Sequence, residues 1–140
     1  ISWGLLINLT MDDAKSLVEL PRVEAIMLRV QELDPSYFGG GPDLFFGIIN
    51  CVKPSFIGGD KDKALKHFEK AFQLSGDDFI LAKFFMAKFY ATSTLNEELF
   101  DKWVIEIEQF QNAKHSKNNL PNALAKRKIK LLKQKKEDLF

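Results

Sequence analysis

Few residues in this 140-residue chain have types suited to chemistry: one cysteine, two histidines and some paired carboxylates. A zinc site needs three or four convergent ligands, and Cys51, His67 and His115 are not spaced to supply them. His67 sits on a helical stretch with Leu65 and Phe68. No Ser, Cys or carboxylate lies at a spacing that would complete a nucleophilic triad with it. Cys51 falls inside a wholly apolar segment, where a free thiol behaves as a small buried hydrophobe. The acidic pairs Asp12-Asp13 and Asp77-Asp78 fall at predicted helix starts, where negative charge offsets the helix dipole. Nothing in their surroundings marks the raised pKa that general acid work requires. The residues therefore predict no catalytic group, no metal and no cofactor, and a protein that is not an enzyme.

Two further stretches bear on ligands. Phe38-Gly39-Gly40-Gly41-Pro42 has the glycine content of a phosphate cradle but lacks the Gly-x4-Gly-Lys-Ser/Thr string. Asp43 and Asp60 also place negative charge where an anion would sit, so the stretch reads as a turn or cap. The charges are divided unevenly: residues 1–113 carry 11 basic and 17 acidic side chains, and residues 114–140 carry 9 basic and 2 acidic. The run Lys126-Arg127-Lys128, Lys130, Lys133, Lys135, Lys136 belongs to an amphipathic helix with Leu124, Ala125, Leu131, Leu132 and Leu139 on its apolar side. A solvated face with snorkelling stems explains it, and anionic lipid headgroups are the alternative partner. Nucleic acid is not predicted, because the run has one arginine and no interleaved aromatics for base stacking.

The 13 phenylalanines are the unusual feature. Phe68, Phe72 and Phe100 fit helix cores, but Phe79, Phe84, Phe85 and Phe89 with Met86 surround one helix on several sides, since successive residues turn by about 100°. One neighbouring layer covers only a stripe of such a helix. The predicted outlets for the excess are an apolar channel, a partner groove or a homo-oligomer interface. Phe45, Phe46, Phe56, Phe84, Phe85, Met86 and Phe89 are the candidate lining of an apolar channel or interface, and Asn50, Lys53, Lys83 and Lys88 are the candidates for a peptide-gripping groove.

These residues must be positioned by helices. The longest apolar stretch, Phe79 to Ala91, is broken by Lys83 and Lys88, far short of the roughly 20 apolar residues of a membrane span. Val23, Ile26, Met27, Val30 and Leu33 repeat at helical spacing, with Pro21 near a first-turn position and Asp34-Pro35 as the stop. Leu65, Phe68, Ala71, Phe72 and Leu74 form a second face between an Asp60 cap and a Gly76 stop. Leu99, Phe100, Trp103, Ile107 and Phe110 form a third, behind Thr94 and Glu97 spaced as a capping box. Residues 43–53 and 77–90 are apolar nearly all round, as helices buried between neighbours are.

A shift of 35 residues superposes Leu44-Phe45-Phe46-Gly47 on Phe79-Ile80-Leu81-Ala82, Phe68 on Trp103 and Phe72 on Ile107. A period near 34 with two helices per unit is that of tetratricopeptide repeats, and Ala64, Phe68 and Ala71 stand at the second-helix pattern. The predicted fold is all-α: a degenerate tetratricopeptide-like stack of antiparallel helix pairs, about 2–10 with 22–33, 43–53 with 61–74, and 78–91 with 97–112. A helix at about 121–139 caps it, and residues 1–140 form one domain.

With Glu32-Leu33-Asp34-Pro35, Tyr37, Gly39, Gly40, Pro42, Gly47, Pro54, Gly58, Gly59, Asp60, Lys63-Ala64, His67-Phe68, Ala71, Leu74-Ser75 and Tyr90-Ala91 in place, the chain resembles a known family. It is the T-component (TatT-like) family of tripartite ATP-independent periplasmic (TRAP) transporters. Gly-Gly-Asp-x-x-Lys-Ala-x-x-His-Phe-x-x-Ala is the most specific string, and Trp3, Phe100, Asn122, Ala125 and Leu131-Leu132 extend the likeness along nearly the whole chain. The resemblance implies a helical accessory lipoprotein outside the cytoplasmic membrane that partners the solute-binding subunit of a transporter and holds a hydrophobic small molecule or lipid. It also implies an N-terminal lipid anchor that this chain, opening at Ile1, does not carry; Cys51, inside a predicted helix, is no substitute. The other reading of the same features is a general tetratricopeptide-like scaffold for proteins or peptides.

Overall fold

A computed structural model describes the backbone of residues 14–140 and the side chains from Val18 onward. The helix expected at about 2–10, and Asp12-Asp13, lie outside the described residues. The described residues form helices joined by turns, without strands. Its elements are α1 (Ala14–Leu33), α2 (Tyr37–Val52), α3 (Lys61–Ser75), α4 (Ile80–Phe85, running on as a π-helical segment over Met86–Ala91), α5 (Glu97–Gln109), α6 (Asn119–Gln134) and α7 (Lys136–Leu139). A short 3₁₀ turn, Ser55–Ile57, lies between α2 and α3.

Helix α1 passes through Pro21 instead of beginning there. The proline forfeits one backbone hydrogen bond, but Leu20 and Val23 on either side are buried with Ile49, so packing overrides the local break. Val23, Met27 and Val30 face neighbours, whereas Ile26 and Leu33, expected on that face, are exposed. Helix α2 opens in left-handed backbone at Phe38, Gly39 and Gly40, and its right-handed part starts around Pro42. Gly40 is required twice: its φ is +74°, and a Cβ there would stand 2.9 Å from the Ala71 Cα. That close approach brings α2 and α3 together as a pair, with Gly47 against the Phe68 ring.

Helix α3 follows its sequence signals. The Asp60 carboxylate accepts from the Asp62 and Lys63 N–H groups at 2.9 and 3.0 Å, and Gly76, with φ +71°, ends the helix. The N–H bonds also hold the Asp60 carboxyl below the usual carboxylate range. The capping box ahead of α5 is not formed. Asn96 caps it instead, accepting from the Leu99 N–H at 2.9 Å, because the Thr94 hydroxyl is engaged by the Tyr90 carbonyl at 2.8 Å. Leu95, at φ +52°, makes the turn between the two.

The helix pairs α2/α3 and α4/α5 stack, α1 lies on α2, and α6 closes the far side against α4 and α5. Phe68, Ile80, Phe100, Ile107, Ala125 and Ile129 are fully covered in one continuous core. On α6 the expected apolar side is only partly right. Ala125 and Ile129 are buried, while Leu124 and Leu131 are exposed, since the core-facing line runs Asn122, Ala125, Ile129, Leu132. The closing helix also breaks at Lys135, leaving α7 as a single turn.

Polar ties join the layers. Fully buried Asn122 on α6 accepts from the Ile80 N–H at 3.1 Å and donates to the Asp78 carbonyl at 2.7 Å, capping α4 from a distant helix. The Asp78 carboxylate, expected to sit on its own helix's dipole, is bonded instead to Ser116 and Asn118.

Candidate functional site

Six of the seven candidate apolar residues fall into three places. Phe84 and Met86 are buried in the main core. Phe45 and Phe46 meet edge to face at 5.3 Å. Phe45 packs with the Leu20–Val23–Ile49 cluster, and Phe46 lies 5.5 Å from the His67 ring. Phe56, on the 3₁₀ turn, is 88% exposed and joins neither group.

Phe85 and Phe89 form the third place. They lie four residues apart on α4 and its π segment, with ring centroids 6.2 Å apart, and the Phe84 ring sits 5.6 Å from Phe85. Both rings are partly buried and pack against the main core. The Lys88 ammonium lies 4.9 Å from the centroid of Phe89, where the electron-rich ring face attracts it. Burial, and then the charge of Lys128, push the Lys88 amine below the ordinary lysine value. The arrangement is an apolar aromatic shelf with a desolvated positive charge on its edge. The π segment gives i→i+5 geometry at this point, a form of helix that concentrates at functional sites.

Of the residues suited to a peptide groove, the Asn50 amide donates to the Phe46 carbonyl at 2.9 Å, Lys53 pairs with Glu24, and Lys83 pairs with Glu106 at 3.0 Å. Only Lys88 of those four is left without an oxygen partner among the described residues.

A polar cluster that sequence reading missed lies beneath the glycine turn. Asp43 is fully buried. Its Oδ1 meets His67 Nδ1 at 2.8 Å and accepts from Gln31 Nε2 at 3.0 Å. Its Oδ2 has no hydrogen-bond donor, and the Lys70 ammonium stands 3.5 Å away. The carboxylate thereby links α1, α2 and α3. A carboxylate-oriented imidazole can serve as a base, but no hydroxyl or thiol of the described residues is bonded to His67. Cys51 is buried, and burial raises its thiol above the ordinary value, as expected of a structural cysteine. The signature glycines and prolines shape turns: Gly39 lies against the Phe79 ring, and Gly59 against the Lys53 carbonyl. Tyr37 and Pro54 are exposed, and Pro42 is buried. A cleft of about 230 Å³ opens between Phe38, Phe79, Asn118 and Pro121.

No helix among the described residues is long and apolar enough to cross a membrane, and no group of three His, Cys, Asp or Glu among them could hold a metal ion. A family model described as TRAP transporter T-component matches residues 1–140, the whole chain. No curated protein gives a significant match.

Proposed function

Since the chain belongs to the TRAP transporter T-component family, we propose that it is a non-catalytic accessory subunit that binds the transporter's solute-binding subunit and holds an apolar ligand on the Phe85–Phe89 shelf. The family makes it a transporter component; its partner and ligand are our reading. In this reading it works in the periplasm, tethered at the membrane through an N-terminal lipid anchor. The observation that supports the ligand is the pair of partly buried rings beside a lysine, on a helix whose Ile80, Leu81, Phe84 and Met86 are buried. Two partly exposed rings would forgo on the order of 1–2 kcal/mol of burial between them unless something covers them.

The scaffold reading has less support, because Asn50, Lys53 and Lys83 are engaged within the protein. A second copy of the chain is the other candidate cover for the shelf. Titrating the native protein with an environment-sensitive apolar dye tests the ligand. Dye should bind wild type, and Phe85→Asp should weaken it about tenfold or more while the helical circular dichroism is kept. Sizing of wild type and Phe85→Asp side by side tests the second copy, since an interface there would break. Co-elution with a solute-binding subunit of a TRAP transporter tests the partner. A monomer that binds neither dye nor that subunit ends the proposal.

A further inference from the structure

The cleft of about 230 Å³ shares no residue with the Phe85–Phe89 shelf. Three segments far apart in the sequence line it. Ser36, Phe38 and Gly39 come from the entry to α2, Phe79 from the residue before α4, and Lys117, Asn118 and Pro121 from the entry to α6. The Phe38 and Phe79 rings meet edge to face, with centroids 5.7 Å apart. Gly39 makes room for this, since a Cβ there would stand 2.6 Å from the Phe79 ring.

Phe38 is out of place by local chemistry. Its φ is +51°, a left-handed form that a bulky side chain disfavours and glycine adopts freely. Burial does not offset the strain, because the residue is 42% exposed. Strain held on the wall of a cleft points to a use for the ring there. Charge comes from the other side of the lining. Lys117 is its single ionisable side chain, exposed and without an ion pair among the described residues. Asp34 and Asp78, beside the lining in sequence, are engaged: Asp34 accepts from the Ser36 hydroxyl at 2.7 Å, and Asp78 from the Asn118 amide at 3.2 Å. Backbone donors add to the lysine. The Tyr37 and Gly40 N–H groups donate to the carbonyls of Asp34 and Ser36, while those of Phe38 and Gly39 between them have no backbone acceptor among the described residues.

We propose that this cleft binds a small aromatic carboxylate, its ring against Phe38, Phe79 and Pro121 and its carboxylate on Lys117. Size sets the class: pockets for drug-sized molecules run from roughly 300 Å³ upward, and this one is smaller, with room for one ring and a short arm. Charge sets the head, because the one ionised group on the lining is a cation and free N–H donors lie beside it. The strained Phe38 is then the residue that gives the ring an aromatic wall, which a glycine at the same φ would not. The site is separate from the shelf, and neither depends on the other.

The test compares ligands that share a ring and arm and differ in the head. Phenylpropionate, phenylpropanol and phenylpropylamine are titrated into the whole chain by calorimetry or by chemical shifts, with acetate as the headgroup-only control. Phenylpropionate should bind about fivefold or more tighter than the alcohol, and the amine should bind weakest. Lys117→Met keeps the stem on an exposed residue and should bring phenylpropionate down to the affinity of the alcohol. Phe38→Gly suits the left-handed backbone, so thermal melts should show the fold kept, and it should weaken phenylpropionate about tenfold or more. Phe85→Asp, on the shelf, should leave phenylpropionate binding unchanged. Equal binding of acid, alcohol and amine, or no binding of any, overturns the proposal. So does acetate binding as tightly as phenylpropionate, which would show an anion site without a ring. Unchanged phenylpropionate binding in Phe38→Gly or Lys117→Met, or its loss in Phe85→Asp, would place the ligand elsewhere and overturn it too.

Discussion

Asp43 shows what a single position can hold together. Its Oδ1 joins Gln31 on α1 to His67 on α3, so the carboxylate is a rivet through three helices. Replacing Asp43 with Ala should lower unfolding stability by about 3 kcal/mol in urea titration, because a buried polar link is lost and its partners are left unsatisfied. Asp43→Asn, which keeps the Oδ1 acceptor, should cost less. Lys88 should behave in the opposite sense. Its folded value is lowered, so between the folded and unfolded values the unfolded chain binds more protons, and stability rises as pH climbs through the folded value. Lys88→Met should therefore stabilise the protein at pH 7 by on the order of 0.5 kcal/mol, a small amount because the side chain still reaches water, and should remove that part of the alkaline gain. Thermal melts at pH 7 and pH 10 would check both points. In the sequence, Phe85 and Phe89 were visible as an apolar excess because helical spacing is local. Asp43 was visible only as a charge beside glycines, because its partners lie 12 and 24 residues away and only the fold brings them together.

At the scale of elements, signals contained within one turn were legible and those supplied by a neighbour were not. Asp60 and Gly76 bound α3 as read, each acting on backbone within four residues. Helix α4 has no side-chain cap of its own; Asn122, 42 residues on, accepts its first buried N–H. Asn122→Ala should strand that N–H and the Asp78 carbonyl and cost about 2–3 kcal/mol. Asn122→Asp keeps the acceptor but sets a buried carboxylate oxygen against the Asp78 carbonyl, so it should cost at least as much, with amide exchange at Ile80 reporting whether that N–H stays bonded. Pro21 misled for a related reason. Local chemistry made it a start, and the burial of Leu20 and Val23 against α2 carried the helix through it. Thr94 lost its capping role because the end of the π segment offered its hydroxyl a nearer carbonyl.

Over the whole molecule, the repeat offset and the all-helical stack were readable because each helix pair buries its face on the next. The closing position of α6 matters most to this continuity, since it covers Ile80 and Ile107 with Ala125 and Ile129. Ending the chain after residue 112 should expose that core and replace one cooperative thermal transition with a broad one, accompanied by aggregation. The site was less legible than the stack: which rings stay uncovered depends on where the neighbouring helices lie, and that is decided by contacts between distant segments. The π segment over Met86–Ala91 bears on this in the language of phase. It holds about one residue more than an α-helical path through the same turn would. The direction of every side chain after it is thus offset by about 100° from the phase that α4 sets before it. Losing a single residue between Met86 and Ala91 would correct the local ladder and put Tyr90, Ala91 and the turn into α5 out of phase with the rest. Losing one from the irregular stretch 111–115 would be taken up where it occurred. The same one-residue change is a phase error in one place and slack in the other.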